Sequence, residues 1–157
     1  MSIFELRLDH KIPPPVVATL IAGAMWGMAA LEPTLALSPQ ISQALVLLLI
    51  LVGVSFDLSG LFAFRQSKTT VNPLKPDRAS ALVTGGIYRF SRNPMYVGFV
   101  LFLMAWAIQL SVLWPFIGPV LFIVYMNRFQ IAPEERVMES KFGDEYLLYK
   151  NKVRRWL

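Results

Sequence analysis

The sequence contains no cysteine and one histidine, His10, among its 157 residues. Disulfides, thiolate nucleophiles and thiolate-bound metals are therefore excluded, and a lone histidine cannot build a metal cluster within one chain. No metal site is expected. Charge is scarce as well: 16% of residues are charged against 55% hydrophobic. That balance is too apolar for an ordinary soluble domain and fits an integral membrane protein. Internal repeats and low-complexity tracts are lacking too, and the length suits one unit, so residues 1–157 read as a single domain.

Basic residues are missing from two particular places. The 32–40 connection and the 109–119 turn contain no lysine or arginine, although the chain carries fifteen of them and a net charge of +5. All fifteen fall in the N-terminal segment, in the 65–93 region or from Arg128 onward. Cytoplasmic loops of membrane proteins hold the excess of lysine and arginine. Both termini and the central loop are therefore expected in the cytoplasm, and the basic balance is a topology signal that argues against nucleic acid.

The apolar stretches supply what this topology needs. Residues 1–15 mix charged and apolar side chains and suit a short interfacial segment, ended by Pro13-Pro14-Pro15. A first span is expected over 16–31, closed by Glu32-Pro33, and a second over 41–64. A polar loop follows, interrupted by Pro73 and Pro76. The third span is expected over 95–113. Trp114-Pro115 and Gly118-Pro119 mark a turn or kink, and a fourth span runs to about residue 131, closed by Ala132-Pro133. A helix over 134–142 is then expected to show Val137, Met138 and Phe142 on one face, with Gly143 ending it and Asp144 opening a last short helix. The expected fold is all-α: a multi-pass helical membrane protein of about four transmembrane helices with cytoplasmic C-terminal helices. Trp106, Trp114 and Trp156, with several tyrosines, suit interfacial belts, and the methionines suit packing.

The stretch from Gly85 to Gly98 joins the polar loop to the third span. Asn93 is the expected N-cap and Pro94 the first helical residue. The free N–H groups of that helix start lie beside Arg89 and Arg92, which suits an anion. Topology-setting or lipid-headgroup arginines fit the same pattern. Because spans three and four form a hairpin, Pro94 and Pro133 should share one membrane face. Glu134 or Glu135 would then oppose Arg89 and Arg92 across a small pocket suited to a zwitterion, or form an ordinary surface ion-pair network with them. Asp57, the single ionisable residue well inside a span, is a functional candidate, or is paired with Arg65 and its neighbouring serines.

The run from Gly85 to Gly98, the Glu134-Glu135 pair and the ending Phe142-Gly143-Asp144-Glu145-Tyr146-Leu147-Leu148-Tyr149 together resemble the isoprenylcysteine carboxyl methyltransferase and phospholipid methyltransferase superfamily. The resemblance covers about residue 69 to the C-terminus. It implies S-adenosylmethionine as cofactor, held by residues 69–157 at a cytosolic-side pocket. The family's Arg-His-Pro-x-Tyr motif maps onto Arg92, Asn93, Pro94 and Tyr96, its Pro-Met-Tyr-x-Gly form onto Pro94 to Gly98, and its paired acids onto Glu134 and Glu135. The implied cofactor-binding residues are Tyr88, Arg89, Arg92, Asn93, Pro94, Tyr96, Gly98, Glu134 and Glu135, and the catalytic candidates are Arg92, Asn93 and Asp57. Asn93 departs from the histidine of the eukaryotic carboxyl methyltransferases, so a proton-carrying role there is lost.

The implied activity is methyl transfer to a lipophilic acceptor, a carboxylate, amine or hydroxyl of a lipid-like molecule, at the cytoplasmic membrane face, and the absence of a targeting segment suggests a prokaryotic plasma membrane. The alternatives are a non-catalytic protein binding anionic lipid and an NADPH-dependent membrane reductase, which needs more spans than this chain offers.

Overall fold

The computed structural model describes residues 11–30, 38–67 and 80–157, and every regular element among them is helical. Expectations for residues 1–10, for Glu32-Pro33 and for the loop prolines Pro73 and Pro76 lie outside the described residues. In chain order the elements are α1 (Pro14–Ala29), α2 (Pro39–Gln66), a 3-10 turn (Gly86–Arg89), α3 (Pro94–Leu110), a second 3-10 turn (Trp114–Phe116), α4 (Ile117–Tyr125), a π-helical segment (Met126–Ile131) and α5 (Ala132–Lys152). Proline stands in the first turn of α1, α2 and α3. The missing N–H costs nothing there and the fixed φ suits the helix.

α2 is long and apolar enough to cross a membrane, whereas α1 and α3 are shorter apolar helices. Its outer surface leaves Ile41, Leu45, Leu48, Leu58 and Phe62 exposed. The core forms where α1, α3 and the α4–π region meet: Val17, Met25, Tyr96, Leu103, Ala107, Phe122, Met126 and Ile131 are buried together. α2 lies along α3 through glycines. A Cβ on Gly53 would stand 2.6 Å from the Phe102 ring, and one on Gly60 would stand 2.8 Å from Met95 Cγ. Small residues let helix backbones approach closely where no water drives their association.

Three expectations need correction. Ala132-Pro133 does not close the fourth helix: the chain passes from α4 through the π segment directly into α5. Pro133 has no N–H to give to the carbonyl four residues back, and the wider π turn lies where that bond is missing. α3 stops at Leu110, three residues early, because Ser111 turns left-handed at φ 53. Trp106 and Trp156 do not present free indole N–H groups to an interface. Trp106 donates its indole N–H to Ala22 O at 3.0 Å and Trp156 to Asn127 Oδ1 at 3.1 Å, so both fasten elements together. Trp114 alone of the three is mostly exposed. Gly143 does interrupt α5, at φ 50 and ψ −126.

Candidate functional site

The chain between the 3-10 turn and α3 is held to the C-terminal residues by a set of hydrogen bonds. Arg92 Nη1 donates to Lys150 O and Val153 O at 2.9 and 2.8 Å, and its backbone N–H to Arg154 O at 3.0 Å. Asn93 Nδ2 donates to Arg155 O at 2.8 Å, and Tyr149 Oη to Tyr88 O at 2.8 Å. Asn93 stands at the N-cap position of α3, yet its side chain makes no cap bond. The expected amide cap is therefore a tail clamp instead. The cap position is served by the Asn93 carbonyl, which accepts from the Tyr96 and Val97 N–H groups.

The two acids at the start of α5 divide. Glu135 accepts from Arg92 Nη2 at 2.6 Å and from Arg155 Nε and Nη2 at 3.0 and 2.7 Å. Burial alone would raise its pKa, but the hydrogen bonds from Arg155 and Arg92 outweigh burial and hold it below the usual value. The same bonds raise the Arg155 pKa. Glu134 instead accepts from Tyr96 Oη at 2.8 Å and Gln130 Nε2 at 2.6 Å, both on Oε1. Burial pushes it from 4.5 up to about 7, against those two bonds and with the Glu135 charge adding to the rise.

These groups line one cavity of about 450 Å³, within the roughly 300–1,000 Å³ of small-molecule sites. Asp57, Tyr88, Arg92, Asn93, Tyr96, Glu134 and Glu135 all reach it, with Leu61, Phe64, Met95 and Phe99 as an apolar wall. Among the described residues, two polar atoms there are buried without a hydrogen-bond partner, Asp57 Oδ1 and Arg92 Nε. The expected pairing of Asp57 with nearby serines is not seen: Ser55 Oγ donates to Leu51 O.

The comparisons with known proteins point the same way. The phospholipid methyltransferase family profile matches residues 41–145. The chain belongs to this family. A 63-residue uncharacterized protein of Haemophilus influenzae is 52% identical over its whole length, which is 40% of this chain. The protein-S-isoprenylcysteine O-methyltransferases of Schizosaccharomyces pombe and Saccharomyces cerevisiae are 36% identical over 92 residues and 32% over 122 residues, covering 56% and 74% of this chain. This phospholipid methyltransferase family member spans 37% and 49% of the length of those two enzymes. No solved structure matches it.

Three of the family-implied residues do not line the cavity. Arg89 is exposed, and Pro94 is buried at the first turn of α3. Gly98 is buried against α2, where a Cβ would press first on Asp57 Oδ1, then lie 2.8 Å from Asp57 Cγ and 3.1 Å from Gly53 O. Conversely, Tyr146 and Tyr149, which belong to the ending that carries the resemblance but were not among the expected site residues, line the cavity. Burial raises the pKa of both, and that of Tyr88, above the ordinary tyrosine value. Their signal was the three-residue spacing after Gly143, which puts both rings on one helix face.

Proposed function

We propose that this chain transfers a methyl group from S-adenosylmethionine to a lipophilic acceptor at the cytoplasmic face of a membrane. The observation that carries this is a cavity lined both by apolar side chains of α2 and α3 and by polar residues of the family's own motifs. The residues fit the cofactor. Glu134 accepts hydrogen bonds, Arg92 Nε is a donor without a partner among the described residues, and Tyr88, Tyr146 and Tyr149 offer aromatic surface.

S-adenosylmethionine, when bound, supplies a methyl group already activated on sulfur. The protein's work is then to hold the acceptor in line and keep water out, which is catalysis by proximity and orientation. In this reading Glu134, Tyr96, Tyr88 and the Arg92 Nε–H hold the cofactor, while the apolar wall seats the acceptor's hydrocarbon. Arg92, Asn93 and Glu135 act as positioning residues that fasten the tail beside the cavity. A protic acceptor must also lose a proton, and Asp57 is the unpartnered carboxyl that can take it.

The membrane arrangement belongs to the same reading: four spans, formed by α1, α2, α3 and α4 with its π segment, with both termini on the cytoplasmic side of a prokaryotic plasma membrane. The apolar side chains exposed along α2 and α4 support contact of these helices with lipid.

Calorimetry of the purified chain in uncharged detergent tests the proposal. S-adenosylhomocysteine and S-adenosylmethionine are expected to bind one site, NADPH is not, and labelled methyl should pass into lipid-extractable material from its own membranes. NADPH binding in place of S-adenosylhomocysteine would support the reductase. Binding of neither, with anionic lipid binding retained, would support the non-catalytic reading.

A further inference from the structure

Gln130 is a polar side chain placed where packing alone would choose an apolar one. It stands in the π segment between Met126 and Ile131, both members of the buried core, and is itself 1% exposed. Burying an amide is costly unless its hydrogen bonds are made. Gln130 Nε2 donates to Glu134 Oε1 at 2.6 Å, and the Gln130 side chain is bonded to that of Tyr96 as well. Tyr96 Oη donates to the same Glu134 oxygen at 2.8 Å. The three side chains close a triangle drawn from the π segment, α3 and α5.

That triangle makes the two oxygens of the carboxyl unequal. Both donors fall on Oε1, and among the described residues no hydrogen bond reaches Oε2. Oε2 is not sealed in either, since the sealed side-chain atoms without a partner among the described residues are Asp57 Oδ1 and Arg92 Nε. Glu134 lines the cavity and Gln130 does not. Oε2 is therefore the oxygen that a ligand can reach, and Gln130 stands behind it. Residues four apart share a helix face, so the amide meets the carboxyl directly and meets a ligand only through it.

We propose that Gln130 is a positioning residue: with the Tyr96 hydroxyl it pins Glu134 Oε1, so that Oε2 meets a hydrogen-bond donor of the cofactor. This rests on the methyl-transfer reading for the ligand. Two donors on one oxygen also favour the charged carboxylate, and a charged acceptor makes the stronger bond to a hydroxyl or ammonium. Burial opposes the donors and leaves the Glu134 pKa at about 7, with the Glu135 charge adding to the rise. The other charged or titratable groups around the cavity are Tyr96 of α3, Asp57 of α2, Tyr88 and Arg92 before α3, and Glu135, Tyr146 and Tyr149 of α5. Cofactor affinity should then rise as pH rises through about 7, where Glu134 loses its proton. Without the Gln130 donor the proton is held to higher pH, and the rise in affinity moves with it.

The test titrates S-adenosylhomocysteine into the full chain in uncharged detergent, from about pH 5 to 9. The parent, Gln130→Met, Glu134→Gln and the two substitutions together form a double-mutant cycle. Methionine nearly matches glutamine in length and brings no donor. Near neutral pH, Gln130→Met is expected to bind about three- to tenfold more weakly than the parent, with its pH profile displaced upward. In the Glu134→Gln background the same substitution should change affinity by less than about twofold. The infrared C=O band of the protonated carboxyl, assigned by its loss in Glu134→Gln, should persist to higher pH in Gln130→Met. Gln130→Asn, whose amide falls one methylene short, should move profile and band the same way and carries the test if the methionine variant does not fold. Equal losses in both backgrounds overturn the proposal, because Gln130 would then act without Glu134. So do an unmoved profile and an unmoved band, which a residue that only fills space would give. If S-adenosylhomocysteine fails to bind the parent, the methyl-transfer reading falls, while the infrared band still decides whether Gln130 governs Glu134.

Discussion

Glu134 and Glu135 are joined by one peptide bond and face different partners, so the same substitution should do different things at each. Glu135 is shared by two guanidiniums, and its side chain is only 10% exposed. Glu135→Gln leaves Arg92 buried without its counter-charge, which costs about 3 kcal/mol for a buried pair. The Arg155 side is more exposed and adds little. Glu134 has its folded pKa raised from 4.5 to about 7. The folded state then binds its proton more tightly than the unfolded chain, so stability falls as pH rises through that window. Thermal unfolding in detergent should show Glu135→Gln destabilised at neutral pH. Glu134→Gln should lose part of the parent's decline in stability between about pH 5 and 7. Identical behaviour of the two variants would contradict this division. The sequence made the pairing of Arg92 with an acid of the 134–135 pair readable, because a hairpin brings Pro94 and Pro133 to one end. It did not reveal which acid, nor that Asn93 would serve residue Arg155, 62 positions away. Local rules describe a cap, and a distant carbonyl competed for the same amide.

Among the elements, the α2–α3 pair depends on what each glycine meets. A Cβ at Gly60 would press on Met95 Cγ and Sδ, part of a flexible side chain, whereas one at Gly98 would press on the Asp57 carboxyl and on Gly53 O. Overpacking costs typically about 1–3 kcal/mol when neighbours cannot move. Gly98→Ala is therefore expected to lower the unfolding temperature clearly more than Gly60→Ala. Equal loss at both positions would show that the helices separate freely. Helix positions were largely legible here, since long apolar runs bounded by prolines leave few choices. The π segment was not. A proline after an apolar run reads as a stop, and the alternative of widening one turn depends on the surrounding packing.

For the whole molecule, the distribution of lysine and arginine is the clearest message in the sequence, and it bears on topology more than on chemistry. Because the chain has no cysteine, single cysteines can report side directly. A cysteine at position 114 should react with an impermeant reagent added outside intact cells, and one at position 152 should react only after lysis. Labelling of position 152 from outside would refute the four-span arrangement. The cavity itself was only half legible. Its polar wall follows from motif residues, but its apolar wall draws on side chains that look in sequence like any lipid-facing surface.

The unpartnered oxygen of Asp57 also bears on how this protein would respond to laboratory selection. A buried acceptor without a donor costs about 1–3 kcal/mol, and Asp57→Asn removes a charge from that place. Screens for variants that survive heating in detergent reward such changes, and sites kept for binding are where stability and activity diverge. A campaign to obtain a sturdier protein for crystallisation would therefore be drawn to position 57. Its most heat-resistant clones would be poor witnesses to what the cavity recognises.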